Sequence, residues 1–125
     1  MLFLGVLYFA AGIVFAAIAK SAASDQVRFA WRLAAWVISA AAFMAHIGYE
    51  HVRLSSSLVT TAFHASLAVG MGALGLAVAA SLHAQAVHKT FPALAIAVWP
   101  VMLGLPAFVV ALGTAALLTR VRRGA

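Results

Sequence analysis

Four long runs of apolar residues, separated by short polar segments, make up most of the chain. The runs cover residues 2–19, 29–49, 58–82 and 91–118. About 20 consecutive apolar residues are needed for an α-helix to cross the hydrocarbon core of a bilayer. A chain in lipid must also satisfy its backbone hydrogen bonds internally, as a helix does. The pattern therefore predicts an all-α integral membrane protein, a four-transmembrane-helix antiparallel bundle that forms a single domain over residues 1–125.

The polar segments between the runs set the expected ends of the helices. No Lys or Arg precedes the first run, and because a secretory signal needs a positive start, we expect this run to remain as a helix. Residues 55–57 are all serine, a residue type that commonly caps the start of a helix. His83 and His88 are expected in a water-exposed third loop. The last run contains Pro100 and Pro106, which remove internal hydrogen bonds, and it is predicted to be long and kinked.

Composition and charge support the membrane assignment. The chain is 66% hydrophobic and only 8% charged, whereas about a quarter of the residues in a soluble domain are charged. Its net charge of +6 comes from basic residues that flank the apolar runs. Because they can reach lipid phosphates there, this charge indicates membrane anchoring and not nucleic-acid binding. The chain has no cysteine, which excludes a disulfide framework and a thiolate metal site.

Two groups of side chains are predicted to anchor the helices at the membrane surface. They are Trp31, Arg32 and Trp36 in the second run, and Arg120, Arg122 and Arg123 in the tail. In a four-span topology the two membrane sides carry equal numbers of basic residues, so the positive-inside rule does not favour either orientation. We take both termini to be cytoplasmic, as the basic tail favours. Abundant alanine, with arginine preferred to lysine, favours a bacterial cytoplasmic (inner) membrane.

A polar stripe on the second run is the most informative feature of the sequence. Four side chains follow one another at intervals of seven: Arg32, Ser39, His46 and Arg53. Seven residues bring a helix back to within about 20° of the same face. Glu50 lies four residues after His46 and joins this face. Because ionisable side chains in a span are costly, they normally face the bundle interior or a water-filled cavity.

The third run carries a second polar face at a similar depth. Its members are Ser57, Thr60 or Thr61, and His64. His46 lies about 6 Å before Glu50, and His64 lies about 9 Å beyond the start of its helix. The connection between the two runs is short, which favours antiparallel neighbours. We therefore predict that His46, Glu50 and His64 meet in one pocket near one membrane face, rimmed by Tyr49, His51 and Arg53.

Several chemistries fit this predicted pocket. Two imidazoles and a carboxylate can hold a divalent metal ion such as iron or zinc. His46 and His64 can serve as the two axial ligands of a b-type haem. A histidine and glutamate pair can relay protons or bind a cation during transport. In the simplest alternative, the same groups only hydrogen-bond to one another or to the loop, and Glu50 pairs with Arg53.

The leading functional expectation is a non-catalytic subunit or accessory factor of a membrane complex. It follows from the few charges, the lack of room for a soluble domain in 125 residues, and the many small residues on helix faces. One alternative is a small proton-coupled or solute transporter that uses the predicted pocket, and another is a haem-binding electron-transfer subunit. Besides the lipid bilayer, the expected partner is another membrane protein or a second copy of the chain. The small residues of the first and third runs are expected to pack mainly inside the bundle.

Overall fold

The structure, a computed structural model, describes residues 2–87 and 93–124. This part of the chain forms four α-helices: α1 (Leu2–Lys20), α2 (Asp25–Gly48), α3 (Leu58–Ala86) and α4 (Ala93–Gly124). A π-helical turn, Tyr49–Arg53, continues α2 directly and is called the π turn below. All four helices, α2 together with its π turn, are long and apolar enough to cross a membrane. The predictions of an all-α chain and of four helices of spanning length are confirmed.

A serine cap fixes the start of α2 and of α3. The Ser24 side chain accepts a hydrogen bond from the backbone N–H of Val27 at 3.3 Å, so α2 begins at Asp25 and not at residue 29. Arg28 pairs with Asp25 at 2.7 Å and stabilises this first turn. Ser57 caps α3 in the same way, as predicted. Because the capped turns are polar, the apolar pattern alone assigned the start of α2 to a loop.

The last two helices also extend beyond their apolar runs. α3 continues to Ala86, so His83 is an exposed helical residue and not part of a loop, while His88 lies outside the described residues. α4 includes the basic tail, where positive side chains interact favourably with the negative end of the helix dipole. It is one continuous helix through Pro100 and Pro106. The bend expected at these prolines stays a prediction.

Glycines bring α1 and α3 into close contact. A β-carbon at Gly72 would lie only 2.8 Å from Cβ of Tyr8, and one at Gly5 would lie 2.9 Å from Cβ of Met71. Non-bonded carbon atoms prefer separations of about 3.5–4.0 Å, so neither position has room for a side chain. These glycines of the first and third runs therefore pack against side chains of the opposite helix inside the chain.

α3 is the central helix, because it packs closely against α4 as well as α1. Ser66 Oγ on α3 donates a hydrogen bond to the carbonyl oxygen of Gly104 on α4 at 2.8 Å. Gly70 lies beside Pro100, so residue numbers rise along α3 as they fall along α4. The core between these helices is built from fully buried small side chains together with one residue of α2: Ala62, Ala65, Ala111, Ala115 and Ile47. α2 makes fewer contacts with the other helices, and its polar end carries the site described next.

Candidate functional site

Glu50 lies in the π turn and is only 7% exposed. The backbone here departs from the α-helical pattern, and the N–H groups of Leu54 and Ser56 donate to the carbonyl oxygens of Tyr49 and Glu50, each at 3.2 Å. π-helical turns are rare and are often found at functional sites. The turn holds the carboxylate inward, between α2 and α3.

Two histidines bond to this carboxylate. His46 Nε2 lies 3.3 Å from Glu50 Oε1. His64 Nδ1 lies 3.1 Å from Oε1 and 2.9 Å from Oε2. These three side chains, called the Glu50 cluster below, are the ones that the sequence predicted to meet. Their contacts connect the end of α2 to the first turns of α3.

The cluster is closed at one end and open at the other. When Glu50 is ionised it only accepts hydrogen bonds, so His46 Nε2 and His64 Nδ1 both carry the donated hydrogens. The second nitrogen of His46, Nδ1, is buried and has no hydrogen-bond partner within the described part of the chain. The His64 side chain, in contrast, is 33% exposed. The cluster therefore reaches the surface of the chain on the His64 side.

The other polar residues predicted for this site lie apart from the cluster. Ser39, which lies seven residues before His46 on the same helix, is half-buried, and Arg53 is exposed. Within residues 2–87 and 93–124, the ion-pair partners of Glu50 are its two histidines, so the Glu50–Arg53 pair of the simplest alternative is not formed. The spacing of seven assumes α-helical geometry up to Arg53. The wider π turn breaks that spacing, because it contains more residues per turn.

The predicted polar face of α3 is also divided. Thr60 is exposed and shares a 2.8 Å hydrogen bond with the capping Ser57. Thr61 is fully buried, and its hydroxyl has no partner among the described residues. The cap and the cluster are therefore two separate polar features of the same helix.

The predicted anchors are exposed along the helices. Trp31, Arg32, Trp36 and the tail residues Arg120, Arg122 and Arg123 all present their side chains at the surface of the chain. The Trp31 ring also packs near Phe15 of α1, with ring centroids 6.2 Å apart. This contact joins the start of α2 to the end of α1.

The geometry bears on the metal and haem hypotheses. In the described part of the chain, no three His, Cys, Asp or Glu side chains are arranged to hold a metal ion. The facing imidazole nitrogens of His46 and His64 both bond to Glu50, so the carboxylate occupies the space between the rings. A haem iron coordinated by both histidines would require both side chains to turn away from Glu50.

A second polar connection was not predicted from the sequence. His51 Nδ1 lies 3.1 Å from the carbonyl oxygen of Ser56, and His51 Nε2 lies 2.8 Å from Thr119 Oγ1. Because a carbonyl only accepts, His51 Nδ1 carries the hydrogen. The single hydroxyl hydrogen of Thr119 is shared between two acceptors, His51 Nε2 and the carbonyl oxygen of Ala115, which lies 2.9 Å away. The ring therefore connects the π turn to α4. Thr119 directly follows the last apolar run, and no sequence spacing links it to His51.

No family model matches this sequence, and comparisons with curated proteins and with solved structures find no similar chain.

Proposed function

We propose that the chain is a small proton transporter of the bacterial cytoplasmic membrane, an antiparallel four-helix bundle in which the Glu50 cluster binds and passes protons. The observation that carries the proposal is a buried carboxylate bonded by two imidazoles, one of them partly exposed at the surface of the chain. Ionisable groups within apolar spans are costly, and they are typical of proton relays and ion pathways.

Insertion in a membrane is supported by the surface of the helices. Large apolar side chains such as Phe3, Trp36 and Leu94 are 72–77% exposed. An apolar surface this extensive suits lipid and not water. The contacts of Ser66 with Gly104 and of Gly70 with Pro100 support the antiparallel arrangement of the last two helices.

The cluster can pass a proton by successive transfers between its three side chains. A proton from water binds Nε2 of the partly exposed His64, and the resulting imidazolium gives its Nδ1 proton to Glu50. His64 is then neutral, and Glu50 is a neutral acid. When His46 carries its hydrogen on Nδ1, its Nε2 can take the proton from Glu50, which leaves Glu50 ionised and His46 as an imidazolium. Onward transfer from the buried His46 Nδ1 requires an acceptor such as a water molecule, because no described residue offers one within hydrogen-bond reach. The three donor–acceptor distances, 2.9–3.3 Å, are hydrogen-bond contacts that such transfers need.

The experiment is proton flux into liposomes under an imposed potential, followed with a trapped pH-sensitive dye. We expect the native protein to give flux above that of empty liposomes and Glu50→Gln to abolish it, because an amide cannot take up and release the proton. Asp25→Asn is the matched control, since Asp25 is the chain's other acidic residue and pairs with Arg28 at the surface. Flux that is absent from the native protein, or unchanged by Glu50→Gln, would contradict the proposal.

An accessory subunit remains the second candidate function. It is supported by α2, which has fewer contacts within the chain and leaves Leu33, Trp36 and Val37 exposed. A partner helix could cover this face. If Glu50→Gln leaves flux unchanged while the purified protein retains a second membrane protein, this candidate is favoured.

The topology gives a further prediction that uses the absence of cysteine. We expect Ser24→Cys and Ser56→Cys to react with a membrane-impermeant maleimide from opposite sides of the membrane, because they flank α2 and its π turn. Ser39→Cys, in the middle of α2, should stay unlabelled in intact membranes. Labelling of both loop positions from the same side would disprove a spanning α2.

A further inference from the structure

A cavity of about 280 Å³ lies between the segment after the π turn and the last turns of α4. It is lined by His51, Ser55, Ser56, Thr119, Arg122 and Arg123. None of these residues belongs to the Glu50 cluster. The cavity is small in comparison with ligand sites, which are typically about 300–1,000 Å³. It therefore suits a small group and not a nucleotide or a large cofactor.

The lining is basic and rich in hydroxyl groups. Two arginines, Arg122 and Arg123, are among the lining residues, and no acidic residue is. The two acidic side chains of the chain are bonded elsewhere, Asp25 to Arg28 and Glu50 to its histidines. One guanidinium group can bind two phosphate oxygens at once, through directed hydrogen bonds as well as through its charge. Serine hydroxyls add further donors.

The wall of the cavity is held in place. His51 bonds to the Ser56 carbonyl on one side and to Thr119 of α4 on the other. Ser55 adopts φ of 52°, a left-handed conformation that is uncommon for a residue other than glycine. Such conformations persist where surrounding contacts fix them, and they are concentrated at ligand sites. The two serines are thus presented on a fixed turn beside the arginines.

We propose that this cavity binds a phosphate group, with Arg122 and Arg123 supplying the positive charge and Ser55 and Ser56 supplying hydroxyl donors. The group can belong to an anionic lipid headgroup at the membrane surface or to free phosphate in water. Either one would bridge the end of α4 and the turn that follows α2. The site is separate from the Glu50 cluster and does not depend on proton transfer there.

The test is the thermal unfolding midpoint of the protein in an uncharged detergent, measured with inorganic phosphate, short-chain phosphatidylglycerol or short-chain phosphatidylcholine. A ligand that binds only the folded chain raises this midpoint. We expect Arg122→Gln and Arg123→Gln each to weaken binding about tenfold or more, as the loss of a charged hydrogen bond does. Arg120→Gln is the matched control, because it removes one charge from the same helix outside the cavity.

Each outcome decides between the possibilities. Stabilisation by inorganic phosphate identifies a free-phosphate site, and stabilisation by phosphatidylglycerol alone identifies a headgroup site. Equal stabilisation by phosphatidylcholine, an equal loss in Arg120→Gln, or no stabilisation by any ligand would overturn the proposal. Glu50→Gln should keep the stabilisation, so failure of the proton-transfer proposal would not be mistaken for failure of this one.

Discussion

Replacing Gly72 with valine is expected to lower the free energy of unfolding by about 2 kcal/mol or more, a typical cost of overpacking. The added β-carbon would lie 2.8 Å from Cβ of Tyr8. That atom is fixed to the backbone of α1 and cannot move away by a change of rotamer. The two helices must therefore separate, and close packing along the whole contact is lost. Denaturant titration followed by circular dichroism in detergent measures the effect.

Gly113→Val is the control for this prediction. Gly113 lies inside α4, and a β-carbon there would meet nothing within 4 Å among the described residues. The same substitution should therefore change stability little, since the added side chain faces outward. A comparable loss at both positions would show that valine destabilises these helices in general and that the α1–α3 contact is not the cause.

Replacing the whole Glu50 cluster with apolar residues is expected to abolish proton flux while leaving the protein at least as stable as the native chain. The triple variant is His46→Leu, Glu50→Met and His64→Leu. Removing all partners together leaves no member of the cluster buried without its partner, and exchanges of this kind are often neutral or stabilising. Glu50→Met alone should instead cost roughly 2 kcal/mol, because it leaves the His46 N–H buried without an acceptor.

The comparison separates a functional cluster from a structural one. If the cluster only stabilised the fold, the triple variant would be less stable than the native protein, and flux would be absent from both. Unfolding titrations of the native protein, the single variant and the triple variant, with flux measured on each, give both answers. A triple variant that unfolds more easily than Glu50→Met would contradict the functional interpretation.

The positions of the helices could be predicted from the sequence, but several of their ends could not. Long apolar runs determine where a spanning helix can form, and all four runs are helical where described. The start of α2 depends on the Ser24 cap and the Asp25–Arg28 pair, which a hydropathy pattern assigns to a loop. The end of α4 similarly depends on arginines that the helix dipole favours.

The site was predictable only where local spacing and depth determine it. His46 and Glu50 are four residues apart on one helix, and a short connection places His64 at the same depth, so their meeting follows from the sequence. The π turn leaves no signal in the hydropathy pattern, and it moves Arg53 out of the predicted face. The contact of His51 with Thr119 depends on how α4 is rotated, which the sequence of an apolar helix does not specify.

The glycine contact between α1 and α3 has a consequence for how the chain is made at the ribosome. Synthesis proceeds from the N-terminus, and domains begin to form as the chain emerges. The surface that α1 presents at Gly5 finds its partner only after α2 and much of α3 have been translated. Until then, the newly made α1–α2 hairpin exposes a close-packing surface that any small-residue helix nearby could occupy. An insertase or chaperone that shields this surface would therefore act during this interval of biogenesis.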